Sequence, residues 1–147
     1  MRILKISKSE FILRLEKGDF VVQKLLEFLT KNKIKSGYLW IIGAVDYIKL
    51  ALYELETKKY FEKEFKDARE IASLSGFISI NKNKPYLHLH GTFCDKKFDC
   101  VGGHLKETRI SATGEVYIKI LNKKLTRYGD HEIGLDLLKI SKQITRK

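Results

Sequence analysis

Residues 86 to 104 read YLHLHGTFCDKKFDCVGGH and hold three of the four histidines and both cysteines of the chain. From Tyr86 to Phe93 apolar and polar residues alternate, the period of a strand with one buried face. Side chains two apart on a strand share a face, so Tyr86, His88, His90 and Thr92 project together while Leu87, Leu89 and Phe93 turn the other way. Read this way, the segment makes the chain a sheet protein and gives its sheet a polar face that carries two imidazoles.

The same period extends outward. Glu70 to Ile80 (EIASLSGFISI) sends Leu74, Gly76, Ile78 and Ile80 to one side, and the polar NKNKP turn joins it to the histidine strand. Arg109 to Leu121 alternates too, with Ile110, Ala112, Val116, Ile118 and Ile120 on one face. Upstream, Tyr38 to Ala44 (YLWIIGA) is nearly all apolar, as a strand covered on both faces would be. Tyr47 to Leu55 alternates, and ETKKY reads as a turn into Tyr60 to Phe65. SEFILRL near the start is a further short strand, and GLDLLKIS near the end is a helical turn or a short edge strand. One segment has helical spacing: in FVVQKLLEFLTKN, Val22, Leu25, Leu26 and Leu29 share a face opposite Lys24, Glu27 and Lys31, with Asp19 as the expected N-cap and an end near Asn32. The expected architecture is α+β, a mostly antiparallel sheet with one long helix packed on a face, in a single domain spanning residues 1–147.

Bulk properties narrow the function. At 147 residues with 44% hydrophobic content and one proline, the chain can fill a core. No apolar run approaches the roughly 20 residues that cross a bilayer, so no membrane partner is expected. Two cysteines define no disulfide framework; Cys94 and Cys100 are expected as unpaired thiols in a reducing, cytoplasmic setting. Twenty-nine Lys and Arg against eighteen Asp and Glu give a net charge of +11, a field that attracts polyanions, nucleic acid first. The excess is spread, mostly as lysine, and a Lys-rich composition is also a general habit of some proteomes. Arg, the usual base-reading residue, is sparse.

The histidines offer a more local chemistry. Imidazoles two apart on a strand lie about 7 Å apart at Cβ, near enough to share one metal ion. His104, behind Gly102-Gly103, is the natural third ligand, because glycines let its backbone approach another element closely. Three neutral imidazoles with an open fourth position form a known catalytic zinc arrangement, so zinc or another divalent transition metal is the cofactor expected of such a site. H-x-H alone is also what a solvated strand face produces. Glu115 in SATGE, on a face with Ser111 and Thr113, is a candidate general base. His131, in the polar YGDHEIG turn, reads as surface. The chain contains neither a phosphate-binding G-x-x-x-x-G-K-[ST] loop nor a G-x-S-x-G nucleophile elbow.

The blocks ILRLEKGDFVVQKLLEFL, GAV at 43–45, EIASLSGFIS, PYLHLHGTF, VGGHL, SATGEVYI and EIGLDLL occur in one order that resembles the plant and prokaryote conserved (PPC) domain, over about residues 8 to 138. The resemblance implies an α+β fold assembled as a homotrimer, and places the family's histidines at His88, His90 and His104 and its S-A-T-x-E glutamate at Glu115. In plant relatives this domain follows an AT-hook that holds the DNA minor groove; the R-G-R-P core of that hook does not occur here. A stand-alone, DNA-associated module is therefore expected, nucleoid-associated in the cytoplasm if DNA is bound. The alternative is a metal-dependent enzyme or small-ligand sensor using the three histidines.

Overall fold

The strand periods of the sequence become nine strands and one helix in a computed structural model that describes residues 1–140. In chain order they are β1 (Arg2–Lys5), β2 (Glu10–Glu16), α1 (Val21–Lys31), β3 (Gly37–Glu54), β4 (Lys59–Phe65), β5 (Arg69–Asn81), β6 (Lys84–Cys94), β7 (Cys100–Ile120), β8 (Arg127–Asp130) and β9 (Leu135–Leu138). Seven strands form one antiparallel sheet in the order β1-β2-β7-β6-β5-β3-β4, and β8-β9 is a separate hairpin. A further β3–β7 pairing closes β3, β5, β6 and β7 into a ring. The expected α+β architecture, an antiparallel sheet with one helix, is what the chain adopts.

Two segments differ from the sequence reading in extent. Tyr38–Ala44 and Tyr47–Leu55 are one strand, β3, whose pairing with β7 shifts register between Gly43 and Val45 and again between Val45 and Tyr47. Such irregularities bend a strand and sharpen its twist, which lets a long strand follow a closed sheet. β7 likewise starts at Cys100 rather than Arg109, because the VGGHL segment pairs with both β6 and β3. GLDLLKIS contributes a strand, β9.

Helix α1 buries Val21, Leu25, Phe28 and Leu29, a face rotated slightly from the expected one. It packs against β6 and β7, with Phe28 edge-on to Phe11 at 5.4 Å between ring centres. Asp19 is not its cap. The Asp19 carboxylate accepts the Glu16 backbone N–H and sits 3.3 Å from the terminal amino group, and Phe20 occupies the cap position without a side-chain bond. The first-turn amides instead reach across to β7: the Val22 and Gln23 N–H groups donate to the Glu107 carboxylate at 2.8 and 3.1 Å.

The cysteines also correct the sequence reading. β6 and β7 run back from the tight loop at Asp95–Asp99, and their register sets Cys94 opposite Cys100. The two are joined as a disulfide, not unpaired thiols. A separation of six residues gave no hint of pairing; the hairpin supplies it.

Candidate metal centre

The β6–β7 hairpin that joins the cysteines also assembles the histidines. Its register pairs His90 with His104, then Gly91 with Gly103 and Thr92 with Gly102. On its other edge β6 pairs with β5, His88 facing Phe77 and His90 facing Ser75. His88 and His90 thus share a face of β6, and His104 enters the same face from the neighbouring strand. The glycines do what their position suggested: a Cβ at Gly102 would stand 3.0 Å from the Gly91 carbonyl oxygen, and one at Gly103 would stand 3.1 Å from that of Ala51.

The three imidazoles form a nearly equilateral triangle, with ring centres 5.1, 5.4 and 5.4 Å apart. Each offers a nitrogen, and these nitrogens all lie within 4.8 Å of one another. Two ligands of a tetrahedral zinc ion at its usual bond length stand about 3.4 Å apart, so modest side-chain rotation closes the triangle on an ion. Donor chemistry and count fit a divalent transition metal. The nearby hydrogen bonds run elsewhere, Arg127 to Ser79 and to the Asp136 carbonyl, and Lys58 to the His131 carbonyl. Among the described residues none engages the side chain of His88, His90 or His104.

Burial sets the charge state. Desolvation, helped by the neighbouring cations and by the other histidines, holds His88 below the ordinary histidine range and His104 down to about 4. Both are neutral at pH 7, the form that ligates. The same shift has a consequence for stability. An unfolded histidine takes its proton near 6.5 whereas native His104 resists until about 4, so between these values the unfolded state binds more protons and stability rises with pH. Metal-free protein should keep the full contribution above pH 6.5 and lose it progressively as the pH falls toward 4. Urea midpoints measured at steps from pH 7 to 4.5 should drop, with a shallower slope in His104→Gln; equal slopes would remove His104 as the cause.

Three residues that sequence patterns did not single out complete the surroundings. Tyr60 of β4 lies against His104, with ring centres 5.7 Å apart, and the Lys106 ammonium sits 3.9 Å from the Tyr60 ring centre. Arg127 of β8 lies over Tyr86 at 4.6 Å. Tyr60 and Arg127 come from segments distant in sequence, and only the pairing of β3 with β4 and the return of the β8–β9 hairpin bring them here. Glu115 is not among these neighbours. It lies eleven positions beyond His104 on β7, opposite Ile42 of β3 and Arg14 of β2, in an exposed position. At about 3.3 Å per residue that is roughly 35 Å along an extended strand. Within one chain the structure does not bring Glu115 to the histidines. His131 is exposed in the β8–β9 turn and apart from the cluster, as its sequence context indicated.

A closed antiparallel sheet backed by one helix defines the fold class of this small single-domain protein, and the three histidines are gathered on one of its β-hairpins. The sequence profile of the Plants and Prokaryotes Conserved (PCC) domain matches residues 5–122, and the chain belongs to that family. Solved structures agree. A "putative DNA binding protein" from Bacteroides thetaiotaomicron is 28% identical, with a TM-score of 0.90 over 94% of this chain and 96% of that one. A metal-containing protein from Archaeoglobus fulgidus is 30% identical, with a TM-score of 0.82 over 93% of this chain and 98% of the other. A plant- and prokaryote-conserved (PPC) protein from Pyrococcus horikoshii, 22% identical, shares the fold at a TM-score of 0.83 over 96% and 95% of the two chains. Among curated proteins none matches the chain.

Proposed function

We propose that the chain is a metal-binding member of this family in which His88, His90 and His104 together hold one divalent transition metal ion, zinc foremost. The observation that carries this reading is the triangle itself: three imidazoles, two of them held neutral by burial, turned toward one another with no hydrogen-bond partner for their nitrogens among the described residues. Two of the imidazoles are half-buried and the third, His90, is exposed, which leaves one side of the triangle open to an incoming ion that all three would ligate. The 30% identical relative described as metal-containing supports it. The bound ion would offer an open position to a small ligand, which makes the centre that of a sensor or an enzyme. Glu115 has no part in this reading.

Elemental analysis of untagged protein is expected to give close to one metal ion per chain. His88→Ala should abolish stoichiometric binding and leave the fold intact by circular dichroism, because the His88 side chain is only half-buried. Metal-free wild type after incubation with zinc, or an unchanged stoichiometry in His88→Ala, would sink the assignment.

A second reading, association with nucleic acid, has its own support. The net charge is +11, and a relative with a closely similar fold is called a "putative DNA binding protein". In this reading homotrimers associate with DNA through lysine-rich surfaces. An exposed apolar stretch of sheet supports the assembly: Trp40 and Ile42 of β3 are 49% and 59% exposed beside Tyr117 of β7, a patch that a second subunit would cover. Phosphate-dominated binding must weaken with salt. Fluorescence anisotropy of a labelled duplex should show affinity falling at least about tenfold between about 50 and 200 mM salt; affinity indifferent to salt would end this reading.

A further inference from the structure

The environment of the histidines is short of negative charge. Metal-bound histidines commonly donate their second nitrogen to a carboxylate, which tempers the charge of the ion, but no carboxylate among the described residues bonds to these three. The nearest formal charges are positive. Lys106 lies two residues from His104 on the same face of β7, and its closest carboxylate, Glu62, stands at 3.9 Å while bonding Lys49 at 2.7 Å. Arg127 donates to a hydroxyl and a carbonyl, Ser79 and Asp136, and has no carboxylate partner among the described residues.

Beside this positive wall opens a cleft of about 510 Å³, bounded by Tyr60, Tyr86, Lys82, Lys106 and the β8–β9 turn. Asp130 and Asp136 also line it, held in place by hydrogen bonds from the Glu132 and Ile133 amides and from Asn81 at 2.6 Å. Tyr60 and Tyr86 stand in the wall between the histidines and the cleft, each with a cation against its ring.

We propose that the histidine centre is an oxyanion-binding site, taking a small carboxylate- or phosphate-bearing molecule whose charged group meets the metal position, Lys106 and Arg127 while its body lies in the cleft along Tyr60 and Tyr86. The proposal rests on the three-histidine metal reading above. Neutral imidazoles leave a held divalent ion its full charge, and two flanking cations raise the local potential further, so an anion is preferred over a neutral ligand in the open position. Charge-assisted contacts to ammonium and guanidinium groups are short and strong.

The test uses cobalt(II)-loaded full-length protein, whose visible absorption reports the ligands of the ion. Cobalt should bind at one per chain. Titration at constant ionic strength in perchlorate should give saturable spectral changes with acetate, with inorganic phosphate, or with both, and none with acetamide at equal concentration. Saturation by one oxyanion and not the other identifies the charged group. Lys106→Met should keep the cobalt stoichiometry and weaken the oxyanion about tenfold, the loss of one charge-assisted contact. Arg127→Gln provides the second variant, because Arg127 also ties β8 to Ser79 and a fold change there would show in circular dichroism. Cobalt bound at full stoichiometry without an oxyanion response, a response equal for acetamide, or unchanged constants in both variants would overturn the proposal. Absence of stoichiometric cobalt would instead overturn the metal reading beneath it.

Discussion

Replacing Gly76 with alanine is expected to destabilise the protein by about 3 kcal/mol, at the upper end of what overpacking a tight site costs, and to weaken metal binding along with it. Gly76 of β5 pairs with Leu89 of β6, and a Cβ there would collide with the His88 carbonyl oxygen and stand 2.8 Å from the His88 carbonyl carbon and 3.0 Å from the Leu89 Cα. All three are backbone atoms, so no side chain can rotate aside. Either β5 and β6 separate locally, breaking ladder hydrogen bonds, or β6 shifts and carries His88 with it. Gly129→Ala is the control: its Cβ would meet only an Asp136 carboxylate oxygen at 3.5 Å, an ordinary contact. Urea unfolding of the two variants, with metal stoichiometry measured on each, checks the expectation. A Gly76→Ala protein that matches Gly129→Ala in both measurements would show that the strands yield without consequence.

That example shows which parts of the centre sequence alone could reach. The alternation through Tyr86–Phe93 is a local property, and it placed His88 and His90 on one face correctly because a strand has no other way to arrange them. His104 was legible from its glycines for a similarly local reason, the need for close backbone approach. The amphipathic pattern of α1 and the antiparallel character of the sheet were equally accessible. What stayed hidden depends on register between distant segments. Cys94 and Cys100 differ from free thiols only because β6 and β7 pair in one register and not the next. Tyr60 reaches His104 because β4 lies on the edge of β3, and Arg127 reaches Tyr86 because a hairpin outside the main sheet folds back. Glu115 shows the converse. Its S-A-T-x-E context marks it as a candidate base, yet the strand that carries His104 also carries Glu115 away from it. The helix cap was misplaced for the same reason: Asp19 is the right residue type in the right place, but its oxygen is taken by the Glu16 amide and the chain terminus.

The group that caps the helix in its stead yields the second large expectation. Glu107→Ala should cost about 2 kcal/mol, the upper range for losing a helix cap, while Glu107→Gln should cost clearly less. The Glu107 carboxylate accepts from Val22 and Gln23, the second and third residues of α1, the amides that a side-chain cap ordinarily satisfies, and from the Thr108 amide at 2.9 Å. Two opposed effects act on it. The three amides favour the charged form, and the positive end of the helix adds to them. Burial disfavours it, and burial wins: the Glu107 carboxyl is held above the usual carboxylate range, desolvation outweighing the three hydrogen bonds. The charge itself is therefore a cost in this position, and the accepting oxygens are what the helix needs. A glutamine keeps one carbonyl oxygen for the amides and carries no charge to desolvate; an alanine leaves the amides without an acceptor. The pH dependence follows in sign. A carboxyl whose native pKa is raised binds its proton more readily folded than unfolded, so its contribution is fully present below the ordinary value of 4.5 and declines as pH rises through the native value. The stability advantage of wild type over Glu107→Gln should accordingly shrink as pH rises from 4 to 7. Urea titrations of the three proteins at both pH values decide the matter. Equal losses in Gln and Ala, or an advantage that grows with pH, would mean that the charge, and not the acceptor, holds the start of α1.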